Sequence, residues 1–203
     1  TGCPKCPSSD AYCEWEDGHG YCFSCNYYKP AQGNFVEEQF TYQYIPHRGL
    51  TKRTLEYYDI KTKVDKDGRP IADGFIYPDG NTKVRLLDDK VIYWQKPLLP
   101  AGSESVIPDL FGRNKFDPGG NKWVIITEGE YDAASLFQVL GGDVPCVSCR
   151  SASSAVSDVA GARSFLNSHE RIYLAFDGDA AGARAREAVA KLFDHNKVYV
   201  LEL

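Results

Sequence analysis

The chain has 203 residues, of which 43% are hydrophobic and 25% charged, ordinary proportions for a folded protein that argue against bulk disorder. A net charge of -5 speaks against gripping a nucleic acid through an overall positive field, and no run of 18 apolar residues exists to cross a membrane as a helix. The charge is uneven, however: net -4 over residues 1–40, +3 over 41–122 and -4 over 123–203. This pattern reads either as three solvated surfaces or as a polyanion-facing middle between two metal-binding ends.

Seven cysteines cannot all pair internally. With no basic-then-apolar leader in view, a reducing compartment is expected, where clustered cysteines read as metal ligands rather than bridges. The first cluster opens the chain. Cys3-x-x-Cys6 and Cys22-x-x-Cys25 are separated by 15 residues, the spacing of a four-thiolate zinc site in which each pair supplies two sulfurs from one tight turn. Short strands are expected at 11–15 and 20–23, joined through Glu16-Asp17-Gly18-His19, where Asp-Gly signals a hairpin turn. Residues 1–28 therefore read as a zinc ribbon, too small to fold without its metal. Cys13, inside the first strand, is expected as a small apolar filler. Trp15, Tyr21 and Phe23 are expected to form the ribbon's small core rather than to stack on bases.

Residues 29–46 read as a linker. A helix is expected at 51–58, started by Thr51. Strands at 74–77, 82–87 and 91–94, divided by Asp79-Gly80 and Asp88-Asp89, predict an antiparallel meander within a mixed α+β, basic segment over 47–121. Residues 97–121 read as loop. From 122 to 203 the pattern alternates: strands at 123–127, 144–148, 171–176 and 197–201, and helices at 131–140, 154–167 and 180–193. Buried strands alternating with helices predict an α/β layer around a parallel sheet. The chain contains no Met and stops at Leu203 in or just after a strand, as expected of a piece of a longer protein.

In a parallel sheet, chemistry gathers beyond the carboxyl ends of the strands. Glu128-Gly129-Glu130 follows one strand and Asp177-Gly178-Asp179 another, with Gly129 and Gly178 expected to let the chain turn sharply. Carboxylates crowded in this way repel unless a hard cation neutralises them, and such oxygen ligands select Mg²⁺ or Mn²⁺. Glu128, Asp177 and Asp179 are the expected ligands. Glu130 and Asp132 fit a metal role or a simple helix-dipole role equally well. Cys146 and Cys149 form a second Cys-x-x-Cys, but a lone pair cannot complete a zinc site, so one strand thiol and one loop thiol are expected.

Two stretches carry a resemblance. Val-Ile-Ile-Thr-Glu-Gly-Glu-Tyr-Asp (124–132) and Leu-Ala-Phe-Asp-Gly-Asp-Ala-Ala-Gly (174–182) resemble the two signature motifs of the Toprim domain of DnaG-type primases, topoisomerases, OLD-type nucleases and RecR. A four-cysteine ribbon, then a basic segment, then Toprim is the primase order. The whole chain is similar to the primase half of the bifunctional primase–helicases of podovirus-type bacteriophages. Supporting matches are Asp17-Gly18-His19, Arg48-Gly49-Leu50 with Lys52, Asn81-x-Lys83-Val84-Arg85, Leu110-Phe111-Gly112-Arg113 and Gly119-Gly120. Ser148-Cys149-Arg150-Ser151 departs from the Gly-rich turn usual there.

The resemblance implies a DNA primase that makes short RNA primers from ribonucleoside triphosphates on single-stranded DNA. It would act beside a fused or bound replicative helicase and a DNA polymerase, in the host cytoplasm. It implies structural Zn²⁺ on Cys3, Cys6, Cys22 and Cys25 and catalytic Mg²⁺ or Mn²⁺ on Glu128, Asp177 and Asp179. Lys83 and Arg85 would lie near triphosphate or template. Arg113, Lys115 and Lys122 are weaker candidates for nucleic acid, and Asp17 and His19 either touch template bases or form a solvated turn. The alternative is a RecR-like recombination mediator that binds DNA without catalysis. Such chains place a helical hairpin before their cysteines and lack the Lys/Arg-bearing meander. A topoisomerase would need more chain for its Tyr-bearing cleavage domains.

Overall fold

The structure is a computed structural model describing residues 2–15, 20–25, 27–29, 41–89, 91–95 and 109–201. It divides into two compact units, Thr1–Gln39 and Phe40–Leu203.

In the first unit β1 (Tyr12–Glu14) pairs antiparallel with β2 (Gly20–Cys22), Tyr12 opposite Cys22. β3 (Tyr28–Lys29), which the sequence pattern did not announce, adds to the free edge of β2. The turn expected at 16–19, with Asp17 and His19, lies outside the described residues. Among the described residues of this unit, only Tyr12 and Cys22 are buried hydrophobics. Two expectations are corrected here. Cys13 is exposed rather than an apolar filler, and Trp15 and Phe23 stand 43% and 66% exposed rather than forming a core. Strand alternation turns Cys13 away from the buried Tyr12, while Trp15 and Phe23 lie just past the ends of β1 and β2.

The second unit begins with β4 (Thr41–Gln43), an exposed edge strand inside the stretch read as linker. α1 (Lys52–Tyr58) follows, as expected, with the Thr51 hydroxyl accepting the Thr54 N–H and Asp59 closing the helix in the left-handed region. β5 (Ile60–Val64), β6 (Pro70–Ile76), β7 (Thr82–Leu86) and β8 (Ile92–Gln95) then form an antiparallel sheet in the order β4-β5-β6-β7-β8. The expected meander is present, extended by β4 and β5. Its register aligns Ile60, Phe75, Lys83 and Trp94 in one row, and Thr62, Asp73, Arg85 and Ile92 in the next, all on one face.

After a 3-10 turn at Arg113–Lys115 come β9 (Trp123–Thr127), α2 (Glu130–Val139), β10 (Cys146–Ser148), α3 (Ala155–Gly161), α4 (Arg163–Asn167), β11 (Arg171–Ala175), α5 (Ala180–Ala190) and β12 (Val198–Val200). The four strands are all parallel in the order β10-β9-β11-β12. The single helix expected over 154–167 is instead two, divided at Ala162, where φ -93° and ψ 9° leave the helical region. Poor helix propensity at Gly161 favours a break there.

Alternation along the parallel strands builds two cores. Val124, Ile126, Val147, Ile172 and Leu174 pack on one face against Val159, Phe165, Leu166, Ala185 and Val189 of α3, α4 and α5. On the other face Ile125, Cys146 and Ala175 meet Ala133, Ala134 and Phe137 of α2, and this core continues through Leu55 and Tyr58 of α1 to Ile60 and Phe75. Cys146 and Cys149 are both buried, in β10 and just past its end, but in different cores. They lie three residues apart and so on opposite faces, which suits two separate thiols.

Candidate active site

Four sulfurs come together in the first unit. The ligand atoms of Cys3, Cys6, Cys22 and Cys25 lie within 4.8 Å of one another, with Cys3–Cys25 at 3.6 Å and Cys6–Cys22 at 3.7 Å. A tetrahedral ion with bonds of about 2.3 Å to sulfur requires sulfurs about 3.8 Å apart. The set can therefore hold a metal ion.

The second constellation stands at the carboxyl ends of β9 and β11, central neighbours with Thr127 opposite Ala175. Glu128 follows β9 directly and Asp177 is two residues past β11, so their side chains end in one cavity of about 540 Å³. Its walls are Glu128, Asp132 and Asp177 on the parallel-sheet side, and Lys83, Arg85, Ile92 and Trp94 on the antiparallel side, with Arg150, Ser151 and Ser154 from the turn after β10. The shared face of β7 and β8 explains the second wall, because the alternation that turns Lys83 and Arg85 inward also presents Ile92 and Trp94.

The charges are arranged unequally. Burial and the neighbouring Asp177 and Asp179 carboxylates push the Glu128 carboxyl above the usual range, and burial and Asp177 do the same for Asp132. Glu128 Oε2 is buried without a hydrogen-bond partner. Both features fit a cation that the side chains themselves do not supply. Asp179 acts as the N-cap of α5, its Oδ1 accepting from the N–H groups of Ala181 (2.9 Å) and Gly182 (2.8 Å). Unlike the four cysteine sulfurs, Glu128, Asp177 and Asp179 are not drawn into a cluster with every ligand atom within 4.8 Å.

Glu130, whose role the sequence left open, faces the cation wall. Its carboxylate takes Lys83 Nζ at 2.8 Å and the Tyr77 hydroxyl at 2.5 Å. Lys83 Nζ also donates to the Arg150 carbonyl at 2.7 Å, so it is held from two elements. Arg85 lies over the Tyr131 ring at 5.8 Å from its centroid, and a second cation, Arg48, at 4.5 Å. The Tyr131 hydroxyl donates to Asp73, which also accepts from Thr62 (2.7 Å) and pairs with His47 Nε2 (2.7 Å). Burial acts to raise the Asp73 carboxyl, but these partners bring it below its ordinary value.

Other candidates lie elsewhere. Arg113 is held by Asp109 at 2.6 Å and does not line the cavity. Lys115 lies in the same 3-10 turn, where its carbonyl accepts from the Tyr57 hydroxyl. Lys122 pairs with Glu170 at 3.5 Å, just before β9, about 20 Å along an extended strand from Glu128. Of the two glycines expected to turn sharply, neither has positive φ. A Cβ at Gly129 would come within 2.5 Å of Asp132 Oδ2 and make that carboxylate turn, whereas one at Gly178 would meet nothing. Residues the sequence did not single out include Ile92, Trp94, Ser151, Ser154 and the buried Asp158.

Four similarities bear on this arrangement. Residues 123–203 match the model of the Toprim domain. A "DNA helicase/primase" of Enterobacteria phage T3 is 28% identical over an alignment of 226 positions, covering 99% of this chain and 38% of that protein; the chain thus spans well under half of this curated relative. The crystal structure of the primase fragment of the bacteriophage T7 primase-helicase protein matches with a TM-score of 0.67 at 29% identity, over 100% of this chain and 88% of that one. A bacteriophage T7 structure of lagging-strand DNA polymerase interacting with primase domains, bound to an RNA/DNA hybrid and dTTP, matches with a TM-score of 0.63 at 29% identity over 85% of each chain. This chain is therefore a homologue of the phage DNA helicase/primases, carrying a four-cysteine cluster near its N-terminus and a Toprim domain over residues 123–203.

Proposed function

We propose that this chain is a DNA primase, joining ribonucleoside triphosphates into a short RNA primer on single-stranded DNA. The observation that carries the reading is the cavity itself. Crowded carboxylates, one with an unsatisfied buried oxygen, face a wall of cations across a space of about 540 Å³. That polarity suits a polyphosphate held between fixed positive groups and cation-binding carboxylates. The homology over 99% of the chain favours this enzyme over a RecR-like mediator.

Glu128, Asp177 and Asp179 would hold Mg²⁺ or Mn²⁺, with Asp132 adding charge beside them. Ions bound there would acidify the attacking 3′-hydroxyl and offset the charge gathering on the phosphates as pyrophosphate leaves. The chain's own contribution is orientation. Lys83 is fixed by Glu130 and the Arg150 carbonyl, and Arg85 stands on Tyr131, so positive charge faces the phosphates without reorganising during reaction. Arg113, Lys115 and Lys122 would contribute only to nucleic acid lying outside this cavity. Cys3, Cys6, Cys22 and Cys25 would hold Zn²⁺. The ribbon would read template bases through Asp17 and His19, with the exposed Phe23 ring able to stack. The replicative helicase, fused or bound, and a DNA polymerase are the proposed partners, in the host cytoplasm.

The test is primer synthesis on mixed single-stranded templates with labelled ribonucleotides and Mg²⁺. Glu128→Gln should lower it at least about a hundredfold, because the proposed ligand that carries the unsatisfied oxygen loses its charge. No oligonucleotide from the unaltered chain, or equal yield from Glu128→Gln, would overturn the reading.

A further inference from the structure

In the turn after β10 the structure holds Arg150 by both its main chain and its side chain. Arg150 Nε and Nη2 donate to Asp158 Oδ1 at 2.8 and 2.5 Å, while the Arg150 backbone N–H donates to Asp158 Oδ2 at 2.9 Å. The Ser154 hydroxyl donates to the same carboxylate at 2.8 Å. Asp158 is fully buried on α3, whereas Arg150 is 30% exposed and lines the cavity with Glu128, Asp132 and Asp177. One carboxylate thus fixes both the main chain and the side chain of one cavity residue.

A buried ion pair rarely stabilises a fold beyond what a packed apolar pair would achieve. What this one supplies is direction. A guanidinium has five N–H donors in a rigid fork, and two are spent on Asp158. Three remain unspent on Asp158, on a residue that lines the cavity with Ser151 and Ser154. The main chain is fixed to the same end, since the Arg150 carbonyl accepts from Lys83 Nζ at 2.7 Å. Asp158 therefore orients two of the three cations in the cavity wall.

We propose that Arg150 is a phosphate-binding residue of this cavity, pre-oriented by Asp158, that contacts the triphosphate of the incoming ribonucleotide. The identity of that ligand rests on the nucleotidyl-transfer reading above; the binding of a polyphosphate does not. The competing role is purely structural, with Arg150 serving only to neutralise Asp158.

The experiment uses the 203-residue chain with Mg²⁺ and inorganic tripolyphosphate as probe, read by titration calorimetry, beside KM and kcat for ribonucleoside triphosphates. The double variant Arg150→Gln/Asp158→Asn removes both charges yet leaves an amide to accept the 150 N–H. It should melt close to the unaltered chain, bind tripolyphosphate about ten- to a hundredfold more weakly, and raise KM by a similar factor with a smaller change in kcat. Arg150→Lys keeps a charge against Asp158 but loses the fork, and should also lose affinity even if the double variant does not fold. Undiminished tripolyphosphate binding in these variants, or no binding by the unaltered chain, overturns the proposal. If binding is lost as expected but no primer is made even by the unaltered chain, the assignment of Arg150 stands and the primase reading fails.

Discussion

Glu128 is held in a setting that favours its neutral form, first by burial and then by Asp177 and Asp179, and Asp132 is strained in the same direction. The sign follows from linkage. A carboxyl whose folded pKa is raised holds its proton longer in the folded state, so stability falls as pH rises from the ordinary carboxylate value through the raised one. The penalty is fully present above that window. At neutral pH without added divalent cation, Glu128→Gln and Asp132→Asn should therefore raise the melting temperature, and added Mg²⁺ should stabilise the unaltered chain more than Glu128→Gln. Thermal melts across pH 4–8 check this, and a lower melting temperature in both variants would count against a cation site. The acidic residues themselves were legible because they stand in one local motif each. Asp158 and the His47–Asp73–Tyr131 network were not, because their partners are 8, 26 and 58 residues apart and leave no periodic trace. Cys13 was misjudged for a different reason: the buried habit of cysteine was weighed above the alternation of its strand.

At the scale of elements, the site depends on how closely α5 approaches the strand ends. Gly182 lies in the first turn of α5, where a Cβ would come within 2.3 Å of the Asp177 carbonyl and 3.0 Å of Glu128 Oε2. Its role is close approach rather than a special φ. Gly182→Ala should push the helix away from the Asp177 carbonyl and the Glu128 carboxylate, lowering primer synthesis by at least about tenfold, while the melting temperature falls by about 2–8 °C as α5 shifts against the core that holds Ala185 and Val189. Gly178→Ala, whose methyl points into open space, serves as the folding control and should melt like the unaltered chain. Equal primer synthesis by Gly182→Ala and the unaltered chain would remove the close-approach argument. The Ala-Gly pair was visible as a motif, but its reason was not, since the clash is with a carbonyl five residues away in sequence. The strand–helix alternation was legible because each parallel strand is a short apolar run. β4 was hidden because its three residues are all exposed and owe their conformation to pairing with β5. β5 was hidden because α1 ends on Asp59 in the left-handed region, without the glycine that usually marks such an end.

At the scale of the molecule, the two units rest on different physics. Phe40–Leu203 carries two extensive apolar cores, whereas Tyr12 and Cys22 are the only buried hydrophobics among the described residues of Thr1–Gln39. So little apolar burial falls short of the entropy of ordering a chain of that length, and the four converging sulfurs are the remaining source of stability. The charge pattern divides along similar lines. The overall -5 conceals a cavity whose acidic wall gathers where a cation would neutralise it, while Lys83, Arg85 and Arg150 face it. Zinc removal should consequently act on the first unit alone. A zinc-selective chelator, or Cys22→Ser, should collapse the amide dispersion of the first unit and leave the thermal transition of the second unchanged, because the latter's cores contain none of the four thiolates. Metal analysis should find one equivalent of zinc before chelation. Native amide dispersion in residues 2–29 at far below one equivalent would mean that the first unit folds on some other basis.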